Sequence, residues 1–157
     1  KDYSIGYDQV SQTLQSIKEL GLVDDQDFPI EEWSMKKRLK DLPQSIAFPV
    51  NLNYEQVPFN IMNTVLAHTP LISVIPVFDS FRNVGKDGIV RGMKFENGSR
   101  HCMNLVRRTT KTDLMVYDYL NNYGEEWGDR GHCYFPIGYV HHFRKECLLY
   151  HFTIKKV

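Results

Sequence analysis

The sequence is short of cysteine, carries no net charge and has no long apolar run. Its three cysteines are an odd number at no spacing typical of a disulfide framework, which favours a reducing, intracellular compartment. Nineteen basic residues balance nineteen acidic ones, so the charge gives no support for nucleic acid or an anionic membrane as a partner. No segment is long and apolar enough to predict a membrane-spanning helix.

Histidines, carboxylates and cysteines at metal-ligand spacing are also lacking. His141 and His142 are adjacent, and neighbouring residues of an extended strand point to opposite faces. Neither they nor His151 have a cysteine or carboxylate at ligand spacing. We therefore expect no metal and no other cofactor.

The apolar residues that are present make up 42% of the chain, enough for the core of a globular domain. They recur at helical spacing from Tyr7 to Leu20, and Gly21 follows as a C-terminal cap. A second helix is predicted over Glu55–His68, with Asn53 as its cap. Its inward-facing residues are expected to be Ile61, Met62, Val65 and Leu66.

Strand-like runs dominate the rest of the chain: Ile46–Leu52, Leu71–Phe78, Gly92–Val106, Leu114–Asn121, Cys133–Val140 and Leu148–Ile154. A short polar turn, Arg108–Asp113, predicts that the strands on either side of it are antiparallel. The fold class that follows is α+β. We expect one domain, with a helical segment over residues 1–45 and an antiparallel, barrel-like sheet over residues 46–157.

Residues 121–132 carry the most specific pattern, NNYGEEWGDRGH. Three glycines around two aromatic residues predict a loop that turns through positive φ while its large rings cover something. The loop resembles the signature NSWGxxWGxxGY of the papain-like cysteine peptidases, which follows a strand and a histidine roughly twenty residues earlier. His101 stands at the place of that histidine.

Some residues of this loop match the family signature, and others depart from it. The matching residues are Gly124, Trp127, Gly128 and Gly131, together with Asn121 at the first position. Asn122 stands where the family has serine, and Tyr123 stands where it has the covering tryptophan. Tyrosine can still shield a buried hydrogen bond, although less fully than tryptophan.

Further segments resemble the family in the expected order: Gly21–Pro29 is similar to GLxxEExYPY, Leu71–Phe78 to GPVSVAI, and Phe81 with Gly88–Val90 to F...GI(Y). The resemblance covers the chain from about Gly6 onward and corresponds to the later two-thirds of a papain-like domain. It implies an α+β papain-like fold without the central helix that carries the nucleophile.

The resemblance also implies roles for the site residues. A thiol is a weak nucleophile until an imidazole takes its proton, and the imidazole needs a third group to fix its ring. By resemblance His101 is the general base and Asn121 its orienting partner. We expect their side chains to lie within hydrogen-bonding reach, with Tyr123 or Trp127 packed beside them.

A nucleophile is missing from this arrangement. The family's cysteine lies in a motif resembling QGxCGSCW, upstream of everything seen here, and the chain has only Cys102, Cys133 and Cys147. Cys102 follows His101 directly, so on a strand it points to the opposite face. Cys133 is expected to be a small buried apolar residue.

Three interpretations of function follow. The preferred one is a pseudo-peptidase, a papain-like scaffold that no longer cleaves and binds a protein or peptide, a second chain or another copy of itself. The alternative is the heavy-chain or C-terminal portion of an active cysteine endopeptidase, whose cysteine lies on an upstream segment or a partner chain. The third is a purely structural domain.

Overall fold

The computed structural model describes residues 5–23, 47–92 and 99–156. Within these ranges the helices are α1 (Ile5–Leu20), α2 (Met62–Leu66) and α3 (Ile137–His142), with 3-10 helices at Phe59–Ile61 and Asp79–Asn83. The strands are β1 (Leu22–Val23), β2 (Ala47–Phe48), β3 (Val50–Gln56), β4 (Leu71–Val77), β5 (Ser99–Lys111), β6 (Leu114–Leu120), β7 (His132–Pro136) and β8 (Leu148–Lys156). The chain divides into two compact units, residues 1–54 with 152–157 and residues 55–151.

The first unit contains α1, which confirms the helix predicted from Tyr7. Val10, Leu14 and Ile17 fall on one stripe, and Leu14 is buried. The Gly21 N–H donates to the Ile17 carbonyl at 2.9 Å with φ at 86°, as a C-terminal glycine cap does. Beyond it β1 pairs antiparallel with β2. The rest of the family-like segment Gly21–Pro29, residues 24–29, lies outside the described residues.

The second unit contains most of a six-stranded sheet, in which β4, β5, β6, β7 and β8 pair with antiparallel neighbours. The strand order is β3-β8-β4-β5-β6-β7, and β5 is hydrogen-bonded to β4 on one side and to β6 on the other. Together with the few helices this confirms the α+β class. The division of the domain at residue 46 stays a prediction.

The β5–β6 connection is tighter than expected. The predicted turn Arg108–Asp113 is wrong in extent, because the ladder continues to the pair Lys111↔Leu114. Only Thr112 and Asp113 form the turn, with φ of 45° and 64°. Polar side chains on an exposed hairpin arm do not prevent the backbone from pairing, and a two-residue turn with positive φ matches the twist of the strands. The start of this predicted strand, residues 93–98, lies outside the described residues.

The predicted helix Glu55–His68 is much shorter in the structure. β3 runs to Gln56, which leaves Asn53 inside a strand, and the Val57 N–H then donates to the Leu149 carbonyl at 2.8 Å. Pro58 lacks an N–H and disfavours helical geometry at the residue before it. The helix α2 therefore begins only at Met62 and buries Met62 and Leu66, whereas Ile61 is 43% exposed.

The predicted strand Cys133–Val140 also ends early, at Pro136. Proline has no N–H with which to extend the ladder, and the chain turns into α3, where Tyr139 and Val140 are buried. His141 and His142 therefore lie in the last helical turn rather than on a strand. None of the described helices is both long and apolar enough to cross a membrane.

Candidate active site

The pairing of β5 with β6 brings His101 and Asn121 together. The register pairs Asn104 with Leu120, so the residue after β6 lies beside the beginning of β5. His101 alternates with the buried residues Met103 and Leu105 and therefore faces the core side of the sheet. Its Nε2 atom lies 2.7 Å from Oδ1 of Asn121, so the predicted side-chain contact is present. The catalytic roles of the two residues stay predictions.

The hydrogen bonds around Asn121 define the tautomer of His101. The backbone N–H of Asn122 donates to Asn121 Oδ1 at 2.8 Å. A backbone N–H can only donate, so the oxygen of the amide must face this side. Because His101 Nε2 approaches the same oxygen, Nε2 carries a proton, and in the neutral ring Nδ1 then carries the lone pair. Within the described part of the chain Nδ1 has no hydrogen-bond partner, which leaves it available to accept a proton.

Aromatic rings cover this pair. The Tyr123 ring lies 5.1 Å from the His101 ring, and the Trp127 ring lies 5.4 Å from Tyr123. The expectation that one of these two residues packs beside the histidine therefore agrees with the geometry. A third ring was not expected: Phe81, in the 3-10 helix Asp79–Asn83, lies 5.6 Å from His101 and 5.0 Å from Trp127.

Hydrogen bonds join the two ends of the loop 121–131 and connect the loop to the 3-10 helix Asp79–Asn83. The Asn121 N–H donates to the Gly131 carbonyl at 2.9 Å, and the Gly131 N–H donates to Trp127 at 2.8 Å. The Trp127 indole N–H donates to the Arg82 carbonyl at 3.0 Å. Gly128 has φ of 58°, and a Cβ there would collide with the His132 carbonyl oxygen. The loop therefore needs glycine at this position.

A charged cluster that the sequence did not predict includes His132, the residue that follows the loop 121–131. Asp118 is fully buried and accepts hydrogen bonds from His132 Nδ1 at 2.7 Å and from Arg107 Nε at 3.0 Å. An irregularity in β5 between Leu105 and Arg107 brings Arg107 opposite Asp118. A lone carboxylate inside the apolar run Leu114–Leu120 was the available signal. His132 stands where the family pattern has tyrosine.

None of the chain's three thiols meets the imidazole of His101. Cys102 is exposed on the opposite side of β5, and desolvation raises its thiol pKa. Burial also raises the pKa of the Cys133 thiol, and it raises that of Cys147 to about 12. A nucleophilic thiol needs the opposite shift. Among the described residues no three His, Cys, Asp or Glu side chains are grouped so that they could hold a metal ion.

Solved structures identify the fold. A structure from work on the mite allergens Blo t 1 and Der p 1 matches at a TM-score of 0.67 and 19% identity, over 90% of this chain and 46% of that one. Xylellain, a cysteine protease from Xylella fastidiosa, matches at 0.62 and 17%, over 92% and 60%. Digestive procathepsin L 3 of Tenebrio molitor larval midgut matches at 0.64 and 12%, over 88% and 46%.

These matches define the class of fold: it is that of the papain-like cysteine proteases. The chain spans about half the length of the first of these structures. No protein-family model matches the sequence, and no curated protein matches it.

Proposed function

We propose that this chain supplies the general base and the orienting amide of a papain-like cysteine peptidase, and that the nucleophilic thiol comes from another segment or a partner chain. The observation that supports the proposal is the 2.7 Å hydrogen bond between His101 Nε2 and Asn121 Oδ1. That bond leaves the basic nitrogen, Nδ1, without a partner among the described residues. An orienting amide and a free basic nitrogen are the two requirements of such a base.

The chemistry follows from which nitrogen is free. A thiol placed at Nδ1 gives its proton to the ring and becomes a thiolate, while Nε2–H keeps its hydrogen bond to Asn121. The thiolate attacks the peptide carbonyl carbon, and the C–N bond breaks as the proton on Nδ1 passes to the leaving amine. Water then hydrolyses the resulting thioester and releases the thiol. The rings of Tyr123 and Phe81 beside the imidazole keep water from competing for the His101–Asn121 hydrogen bond.

A second candidate function is the non-catalytic pseudo-peptidase, which binds a protein or peptide at the face around Nδ1. The three thiols favour it, since none is placed or activated as a nucleophile. The exposed Tyr123 favours it as well, because an aromatic side chain that is 44% exposed beside a polar group is a common binding contact.

The experiment that separates the two functions uses the full-length natural protein, together with any chain that co-purifies with it. Hydrolysis of a fluorogenic peptide is measured for this protein, for His101→Ala and for the control His68→Ala, which changes an exposed histidine in the turn after α2. We expect hydrolysis, a loss of roughly 10²- to 10⁴-fold in kcat in His101→Ala, and no change in the control.

Absence of hydrolysis in the full-length protein, both alone and with any chain that co-purifies with it, would overturn the catalytic proposal. The pseudo-peptidase then predicts binding to an immobilised random peptide library, weakened by Tyr123→Ala. Hydrolysis that His101→Ala leaves intact would contradict both candidates, because the reaction would then use another base.

A further inference from the structure

We infer that Phe81 is the positioning residue that fixes the plane of the His101 ring. The inference rests on the proposed function for its catalytic meaning, because it concerns the orientation of the proposed base. Phe81 lies in the 3-10 helix Asp79–Asn83, which is remote in sequence from both His101 and the loop 121–131.

A hydrogen bond alone does not hold an imidazole in one plane. The bond from Nε2 to Asn121 fixes one atom of the ring, whereas the torsion about the Cβ–Cγ bond of histidine has a broad minimum. The ring can therefore tilt about its bonded nitrogen, and that tilt moves Nδ1. Contacts against the ring itself are needed to restrict the motion.

Two rings contact the imidazole, and they differ in how firmly they are held. Tyr123 lies 5.1 Å from His101 but is 44% exposed. Phe81 lies 5.6 Å from His101 and is only 2% exposed. An exposed side chain changes rotamer easily, whereas a close-packed one does not. Phe81 is therefore the fixed surface against which the imidazole rests.

Phe81 is in turn held from several sides. Its ring packs on Trp127 at 5.0 Å and stacks on the fully buried Phe135 at 5.8 Å with an interplanar angle of 24°. Its backbone N–H donates to the Phe78 carbonyl at 2.8 Å. The next residue, Arg82, accepts the Trp127 indole hydrogen bond at 3.0 Å. The 3-10 helix and the loop that carries Asn121 are thus joined around the Phe81 ring.

The test compares Phe81→Leu and Phe81→Met with Phe78→Leu. Phe78 is also buried, lies three residues earlier and packs on Tyr139 and Phe143. Its replacement removes a ring from the same core. Within the described part of the chain the Phe78 ring does not contact His101. Thermal unfolding first establishes that the Phe81 variants and Phe78→Leu lose similar amounts of stability, so that they differ only in the contact with His101.

The readout is the ¹⁵N NMR spectrum of the His101 ring in the 157-residue chain, recorded near pH 9, where a free imidazole is neutral. We expect the wild-type ring to be almost wholly the Nε2–H tautomer. Each Phe81 variant should lower the ratio of the Nε2–H to the Nδ1–H tautomer about tenfold, and Phe78→Leu should leave it unchanged.

Equal ratios in the Phe81 variants and in Phe78→Leu would overturn the inference, since Phe81 would then act only as core. If Phe81→Leu fails to fold, Phe81→Met, which keeps more side-chain volume, decides the outcome in the same spectrum. Because the spectrum requires no hydrolysis, failure of this inference is distinct from failure of the proposed peptidase function.

Discussion

Asn121 uses one oxygen atom for two hydrogen bonds, to His101 Nε2 and to the N–H of Asn122. The amide is 7% exposed, so water cannot easily replace it as the acceptor. Its Nδ2 atom has no hydrogen-bond partner within the described residues. The side chain is therefore held through its oxygen, the atom that sets the tautomer of the imidazole.

We predict that Asn121→Ala destabilises the fold by about 1–3 kcal/mol, because two donors lose a buried acceptor. The same change should bring the two neutral tautomers of His101 towards equal populations. Urea denaturation measures the first effect and ring ¹⁵N NMR the second. The neighbouring exposed residue provides the control, since Asn122→Ala should change neither. An unchanged tautomer ratio in Asn121→Ala would show that the amide does not orient the ring.

Asp129 is a second residue whose contacts have a measurable consequence, a lowered carboxyl pKa. Its Oδ2 atom accepts from Lys111 Nζ at 2.7 Å and from the Tyr134 hydroxyl at 2.8 Å. The hydrogen bond from Lys111, followed by that from Tyr134, lowers the Asp129 pKa, and the hydrogen bond to Asp129 raises the Lys111 pKa. Both shifts favour the charged pair in the folded state.

We predict that this pair stabilises the fold only in a middle range of pH. The Asp129 contribution is present above the unfolded aspartate pKa, about 3.9, and is lost as the pH falls through the folded value. The Lys111 contribution is present below about pH 10.4 and is lost as the pH rises through its folded value. Unfolding free energies from acid to neutral pH should vary less in Asp129→Asn than in the wild type.

The control for this prediction is Asp113→Asn, at the exposed hairpin turn. It should keep the wild-type dependence on pH, whatever its effect on stability at pH 7. Equal pH dependence in Asp129→Asn and the wild type would show that the Lys111–Asp129 contact is not formed in solution.

At the scale of elements, the loop 121–131 depends on positive-φ backbone conformations that residues other than glycine rarely adopt. Gly124, Gly128 and Gly131 have φ of 86°, 58° and 83°. They differ in the space around them, because a Cβ at Gly124 would meet nothing within 4 Å. Gly128 is the position where conformation and space both exclude a side chain.

We predict that Gly128→Ala destabilises the fold by about 3 kcal/mol, because it combines left-handed strain with a backbone collision. Gly138→Ala is the matched control: Gly138 lies in α3 with open space at its Cβ. Alanine there should stabilise by about 0.5–1 kcal/mol, because it restricts the unfolded chain and favours the helix. Thermal unfolding of both variants checks the pair, and a Gly128→Ala protein as stable as the wild type would contradict the loop geometry.

At the scale of the whole molecule, the three thiols report how the chain is packed. Cys102 is exposed, Cys133 is fully buried and Cys147 is largely covered. The pKa of each thiol is raised, with desolvation as the largest cause. The thiolate, which is the reactive form, is therefore disfavoured at all of them in the native state.

We predict that an aromatic disulfide reagent modifies one thiol of the native chain near pH 8, more slowly than it modifies free cysteine, and all three after unfolding in urea. Cys102→Ser should remove the native reaction. Rapid native modification of Cys133 or Cys147 would show that the core of the second unit opens readily. A reaction faster than that of free cysteine would reveal an activated thiol and weaken the argument that the nucleophile lies elsewhere.

Binding of a protein or peptide partner by the whole molecule stays a prediction. The chain spans 46% of the mite-allergen match and 60% of xylellain. We expect the face that presents His101 Nδ1 to bind a protein or peptide, whether a second copy, another chain or a further segment. Light scattering of the purified 157-residue chain over a range of concentrations measures self-association, and light scattering of the full-length natural protein measures binding to further chains.

Local sequence patterns determined several features by themselves. The stripe from Val10 to Ile17 and the glycine after it predicted α1 and its cap, because helix periodicity and positive φ are properties of neighbouring residues. The loop pattern identified the papain-like fold, and a short hairpin was enough to bring His101 beside Asn121. Each of these inferences needed only residues close in sequence or joined by one turn.

Tertiary structure decided the rest, because the determining contacts join distant parts of the chain. The second helix is short because Pro58 follows a residue that pairs with Leu149, ninety-two positions after Val57. The Asp118 cluster formed because an irregularity in β5 brought Arg107 opposite a carboxylate whose other partner lies on β7. Phe81 reaches His101 from a separate 3-10 helix. Packing between such elements depends on shape and hydrogen bonding in three dimensions, which periodicity along the chain does not encode.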